Sequence, residues 1–291
     1  MTTIAVCGLG LLGRPIAERL LHTGHGLRVW NRTPEKARPL GDAGATVAAT
    51  PAEAAAGADM AITVLSTPEA LNGVALGPNG LAEGLAPGSI LAEMSTVGPD
   101  AIRSLAMRMP TGIELADAPV LGSVPQAADG TLNVFVGGTV EVYRRLEPLL
   151  RDLGRPRHIG PLGTGAAMKL VVNSTLFPVI AAIGEALALG DRLGLPQSAV
   201  LDVLSVSALA ASVGSKRERI ESGAYPASFR LETALKDADL IDRATNGEFP
   251  LARAARDLLA GAGEAGMGDR DYSAVVAYIR KALGAKPPTS T

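Results

Sequence analysis

The sequence predicts an α/β domain built on a parallel sheet, then an all-α C-terminal domain, the two joined by a long helix. Two observations carry this. Up to about residue 162, short apolar runs alternate with segments of helical spacing, the pattern of parallel strands with helices on both faces. From residue 163 the strand-like runs stop, and Ala- and Leu-rich helical segments continue to about residue 284. The expected domains are 1–162 and 163–284, followed by a disordered tail, 285–291, rich in Pro, Ser and Thr.

Each element has its own signal. "TIAVCG" (3–8) is an apolar run ending in glycine, hence a buried strand. "RPIAERLLHTG" (14–24) has apolar residues at helical spacing and a glycine stop. "LRVWNR" (27–32) is the second strand, and "PEKARPLGDAG" (34–44) a short helix between Pro34 and Gly44. Strand "ATVAA" (45–49) and helix "PAEAAAGA" (51–58) come next. "MAITVLS" (60–66), "SILAEMST" (89–96), "ELADAPVLG" (114–122) and "LNVFVGG" (132–138) read as further strands. A helix over 163–192 is roughly 45 Å long at 1.5 Å per residue, a length suited to joining two domains or forming a dimer seam. Pro178 and Gly184 are its expected weak points.

Composition excludes several functions. The formal net charge of −2 lacks the basic footprint of a nucleic-acid binder. No apolar run reads as long and charge-free enough to cross a membrane, and the N-terminus shows no secretory pattern. A single cysteine, Cys7, forms no internal disulfide, which fits a reducing cytoplasm. His22, His25 and His158 lack metal-ligand spacing, so no metal is expected. "SKRERIESG" (215–223) reads as a solvated helix face.

The chemistry starts at "CGLGLLGRPIAERL". Gly8, Gly10 and Gly13 form G-x-G-x-x-G between a strand and a helix, the context that gives this motif its value. Gly8 serves the tight turn, Gly10 the approach of a pyrophosphate, Gly13 the packing of helix on sheet. Leu9, Leu11 and Leu12 complete the expected cofactor loop. NAD sites usually carry an acid at the end of the second strand. Here stand Asn31, Arg32 and Thr33. Arg32 suits a 2′-phosphate, so NADP(H) is expected in preference to NAD(H).

Four separated motifs resemble the β-hydroxyacid dehydrogenases: the glycine loop, "DAPVLGSVPQAADGTLNVFVGG" (117–138), "GTGAAMKLVVN" (163–173) and "KDADL" (236–240). The resemblance spans nearly the whole chain. Within that family, "GSVPQAADG" (122–130) is similar to the glyoxylate/succinic semialdehyde reductase branch more than to 3-hydroxyisobutyrate dehydrogenase. The resemblance implies a Rossmann domain, a helical domain, an active site between them, a small carbonyl substrate and a homodimer or homotetramer. It makes Lys169 the catalytic acid/base. That agrees with the chemistry of carbonyl reduction, in which a hydride reaches carbon and a proton reaches oxygen. Asn173 lies four residues on, on the same helix face. The resemblance also implies cofactor contacts from Leu65, Ser66, Thr96 and Lys236, and substrate contacts from Phe229 and Asp237. Glu93 stands where the family's D-x-S-T segment has Asp.

One departure concerns the substrate. The family's D-A-P-V-S-G loop uses a serine hydroxyl and following backbone N–H groups to hold a carboxylate, whereas this chain has Leu121, then Gly122 and Ser123. Leucine donates no hydrogen bond. The alternatives are reduction of an uncharged carbonyl, reduction of an imine, and cofactor binding without turnover. Imine reductases share the architecture but typically lack the lysine, which counts against that reading.

Overall fold

The computed structural model describes residues 2–284, and the expected disordered tail lies outside the described residues. The chain divides into two compact units, one ending at Leu170 and one beginning at Val171. The division falls within a helix that starts at Thr164, next to the boundary expected at 162/163.

The first unit runs β1 (Thr3–Cys7), α1 (Gly13–His22), β2 (Gly26–Trp30), α2 (Arg38–Asp42), β3 (Thr46–Val47), α3 (Pro51–Ala55), β4 (Met60–Thr63), α4 (Pro68–Leu76), α5 (Leu81–Gly84) and β5 (Ile90–Glu93). It continues with α6 (Pro99–Arg108), β6 (Glu114–Asp117), β7 (Val120–Leu121), α7 (Val124–Asp129), β8 (Leu132–Gly137), α8 (Val140–Leu153) and β9 (Gly154–Gly160). Among the described residues these strands form one sheet, ordered β3-β2-β1-β4-β5-β6-β8-β7, with β9 also on β8. Strand side chains alternate between faces. In β1, Ile4 and Val6 join the core on one face with Ile16, Leu20 and Leu146, while Ala5 and Cys7 join Leu71, Leu81 and Ile102 on the other. Burial pushes the Cys7 thiol up to about 12, as for a core residue. Several helices begin at a threonine whose hydroxyl accepts from the third residue on: Thr50 from Glu53, Thr67 from Ala70, Thr139 from Val142.

The first unit corrects four expectations and adds one strand. Pairing is not all parallel, since β8 runs antiparallel to both β6 and β7. The expected strand 114–122 is two strands, broken at Ala118 and Pro119, and proline cannot donate to a ladder. The strand 45–49 shrinks to Thr46–Val47, and the helix 34–44 is a 3₁₀ turn, Pro34–Lys36, followed by α2. β9 was not expected at all: "GRPRHIG" contains Pro156 and two arginines, yet it pairs in parallel with β8.

The helix that follows, α9 (Thr164–Arg192), has an 18-residue stretch apolar enough to cross a membrane by length and composition. This corrects the expectation that no run qualifies. A core helix passes the same test, and inside the second unit Phe177, Ile180, Ile183 and Leu187 are buried. Gly184, an expected weak point, sits against the helix Val275–Ala282. A Cβ there would lie 2.9 Å from the Ile279 side chain, so the glycine permits close helix packing. The second unit continues with α10 (Gln197–Leu204), α11 (Ala210–Ser222), α12 (Leu231–Ala244), α13 (Pro250–Ala262) and α14 (Val275–Ala282). Arg280 of α14 grips both carboxylate oxygens of Asp191 at 2.8 Å.

Candidate active site

The glycine loop has three glycines with three different reasons. Gly8 adopts φ +101°, and a Cβ on it would lie 2.2 Å from the Val64 carbonyl oxygen. A Cβ on Gly13 would lie 1.9 Å from the Gly8 carbonyl oxygen, so α1 rests directly on the turn. A Cβ on Gly10 would meet nothing within 4 Å. No protein atom demands glycine at that position, whereas a pyrophosphate approaching the backbone does. At its N-terminus α1 has no side-chain cap and no acidic residue in its first turn, which leaves N–H groups and the positive dipole end for an anion. Leu9 is buried, Leu12 half-buried and Leu11 exposed. These residues fit a bound dinucleotide.

Asn31 braces this loop. Its Oδ1 accepts from the Leu9 N–H at 2.8 Å, and its Nδ2 donates to the Thr33 carbonyl at 2.9 Å. Arg32 and Thr33 are exposed, and Arg32 makes no hydrogen bond or ion pair among the described residues. The loops after β4 and β5 are tied together: the Leu65 N–H donates to Ser95 Oγ at 2.7 Å, and the Ser95 N–H donates to the Glu93 carboxylate at 3.0 Å. Glu93 is fully buried, and Thr63 Oγ1 lies 3.4 Å from its Oε1. Ser66 is exposed and Thr96 half-buried beside these anchors.

Lys169 is half-buried on α9. Asn173, on the same helix, is fully buried. Its Nδ2 donates to Asp237 Oδ2 at 2.8 Å, and its Oδ1 has no hydrogen-bond partner in the described structure. Lys236 Nζ lies 2.6 Å from Asp237 Oδ1. Three of the expected residues, Asn173, Lys236 and Asp237, thus come together within the second unit.

Phe229 lies in an aromatic cluster with Phe177 and Tyr272, its ring 5.3 Å from that of Tyr272. This cluster adjoins a buried ion pair absent from the expected site. Lys216 Nζ donates to Asp271 Oδ1 at 2.8 Å and sits 4.5 Å above the Tyr272 ring. The Phe229 N–H and Ser228 donate to Asp271 Oδ2. Lys216 belongs to the segment expected to be a solvated face, and it is 8% exposed. The correction has a simple cause: its partner lies 55 residues away, beyond any local charge pattern.

At the substrate loop Leu121 is 37% exposed. Ser123 and Gln126 form a capping box on α7. Gln126 Oε1 accepts from the Ser123 N–H at 2.9 Å, so that donor is already engaged. Gly122 has φ +138°, and a Cβ there would lie 2.6 Å from the Leu132 side chain.

The chain is similar to known proteins along nearly its whole length. The family model described as the NAD binding domain of 6-phosphogluconate dehydrogenase matches residues 3–167. The model described as NAD-binding of NADP-dependent 3-hydroxyisobutyrate dehydrogenase matches residues 163–279. Glyoxylate/succinic semialdehyde reductase 2, chloroplastic, of Arabidopsis thaliana is 33% identical over 288 residues, covering 96% of this chain and 80% of that protein. The 3-sulfolactaldehyde reductase of Escherichia coli (strain K12) is 34% identical over 291 residues, covering 98% of each. The solved structure of Mycobacterium tuberculosis 3-hydroxyisobutyrate dehydrogenase with L-serine is 30% identical, with a TM-score of 0.85 and coverage of 96% of this chain and 99% of that one. The chain belongs to the β-hydroxyacid dehydrogenase family and is an NAD(P)-dependent oxidoreductase.

Proposed function

We propose that this oxidoreductase reduces a small aldehyde or ketone, of the semialdehyde or 2-oxo acid type, to the alcohol, with NADPH preferred over NADH. The observation that carries the reading is the half-buried Lys169 on a helix that continues directly from the dinucleotide-binding unit. Gly8, Gly10 and Gly13 would hold the pyrophosphate, and Leu9, Leu11, Leu12, Leu65, Ser66 and Thr96 would contribute to the same cofactor site; Lys236 is proposed as a cofactor contact from its resemblance to the family's K-D-x-x-L segment alone. Arg32 would pair with a 2′-phosphate, with Asn31 and Thr33 shaping its loop. When bound, the reduced nicotinamide supplies the hydride. Lys169 polarises the carbonyl and gives its Nζ proton to the oxygen as the C–O bond becomes single. The Asn173 amide, oriented by Asp237, keeps Oδ1 as an acceptor for a donor group.

A second substrate class is favoured by Leu121 and by the engagement of the Ser123 N–H with Gln126. Both reduce the donors available to a carboxylate, which suits an uncharged carbonyl or an imine. The experiment is cofactor consumption with NADPH and NADH in parallel, against glyoxylate, succinic semialdehyde, uncharged aldehydes and cyclic imines. Turnover of the acids with NADPH supports the main reading. Turnover of the uncharged compounds alone moves the substrate to the second class. Tight NADPH binding without turnover of any of them contradicts both.

A further inference from the structure

The "DAP" aspartate and the "GTG" that opens α9 stand apart in the sequence, and the proposed reaction assigns neither a role. In the structure they are one device. Asp117 ends β6 and is fully buried. Its Oδ1 accepts from the Gly163 N–H at 2.7 Å, and its Oδ2 from the Ala166 N–H at 2.6 Å. These are distances of charge-assisted bonds. The first N–H groups of a helix have no partner within the helix. Here a single carboxylate from the sheet takes two from the start of α9.

The surroundings are cut to fit it. A Cβ on Gly137, across the strand pair from Asp117, would lie 2.3 Å from Oδ1. A Cβ on Gly165 would lie 2.2 Å from the Phe135 carbonyl and 3.0 Å from Oδ2. Gly163 adopts φ +92°, a conformation that favours glycine, and so turns its N–H toward the carboxylate. Burial outweighs these donors and lifts the Asp117 carboxyl above its ordinary value. Ala166 and Lys169 are three residues apart, one turn along the same helix face. Two bonds to one rigid group fix both the axial position of α9 and its rotation about its axis. We infer that Asp117 is a positioning residue for the reaction, clamping the N-terminus of α9 so that Lys169 is presented in one orientation. This rests on the reading of Lys169 as the proton donor.

The test uses Asp117→Asn, which keeps the shape but turns one acceptor into a donor facing an N–H. It is compared with the wild type and Lys169→Ala. Single-turnover oxidation of NADPH with succinic semialdehyde is normalised to the NADPH bound per chain. The inference expects the Asp117→Asn rate to fall about 10- to 100-fold, with the NADPH Kd changed less than twofold. A rate within twofold of wild type, while Lys169→Ala is inactive, overturns the positioning role and leaves the lysine reading intact. A Lys169→Ala rate equal to wild type removes the lysine reading and this inference with it. The clamp has its own readout, independent of any variant's folding. In the wild type, the amide signals of Gly163 and Ala166 should titrate together with one acidic group, whose midpoint lies above the ordinary aspartate value. Independent behaviour of the two amides contradicts the clamp.

Discussion

Arg32 stands exposed at the end of β2, with no hydrogen bond or ion pair among the described residues, while its neighbour Asn31 is spent on bracing Leu9. A guanidinium held by none of the described residues has its donors available for a phosphate. Arg32→Ala should therefore raise the KM for NADPH by about tenfold, roughly 1.4 kcal/mol, and leave the KM for NADH nearly unchanged. Steady-state kinetics with each cofactor checks this, and an equal effect on both would remove Arg32 from cofactor selection. Gly10 makes the complementary point. Its missing side chain answers to no protein neighbour, and that is visible in the sequence only through the motif.

At the scale of elements, the sequence reveals what is periodic or local and conceals what is distant. The apolar run of β1 and the spacing of α1 are local signals, and both elements form within a residue or two of expectation. β9 is hidden because Pro156, Arg155 and Arg157 disguise a strand stabilised by its neighbour β8. The Asp117 clamp is hidden because its donors lie 46 and 49 residues away. Lys216 is hidden for the same reason. Burial opposes ionisation of Asp271, but the Lys216 ammonium and the donors from Ser273 and Ser228 outweigh it and hold the carboxyl down to about 2. In the unfolded chain an aspartate titrates at about 3.9. The stabilisation from Asp271 is thus fully present above about pH 4 and is lost as pH falls toward 2. Removing one partner strands a buried charge. Lys216→Met should cost about 3 kcal/mol in denaturant unfolding at pH 7 and flatten the loss of stability between pH 4 and 2. A variant as stable as wild type would contradict the account of this pair.

At the scale of the whole molecule, the two units divide the expected roles, with the glycine loop and Lys169 in the first and Asn173, Lys236 and Asp237 in the second. The second unit also exposes Leu189, Leu193, Leu195, Val203 and Val206, each at least half accessible. Exposed apolar side chains suit an interface between copies of the chain, and a homo-oligomer remains a proposal. Sedimentation at a multiple of the 29.6 kDa chain mass is the predicted result, and Val206→Glu should shift it toward the monomer. A wild-type monomer at micromolar concentration would contradict it. The proposal that Lys169 protonates the reduced carbonyl is decided by NADPH oxidation in Lys169→Ala, with NADPH binding followed in the same samples. NADPH affinity should stay within about twofold of wild type, and kcat should fall by about 10²- to 10⁴-fold. Unchanged turnover would contradict it.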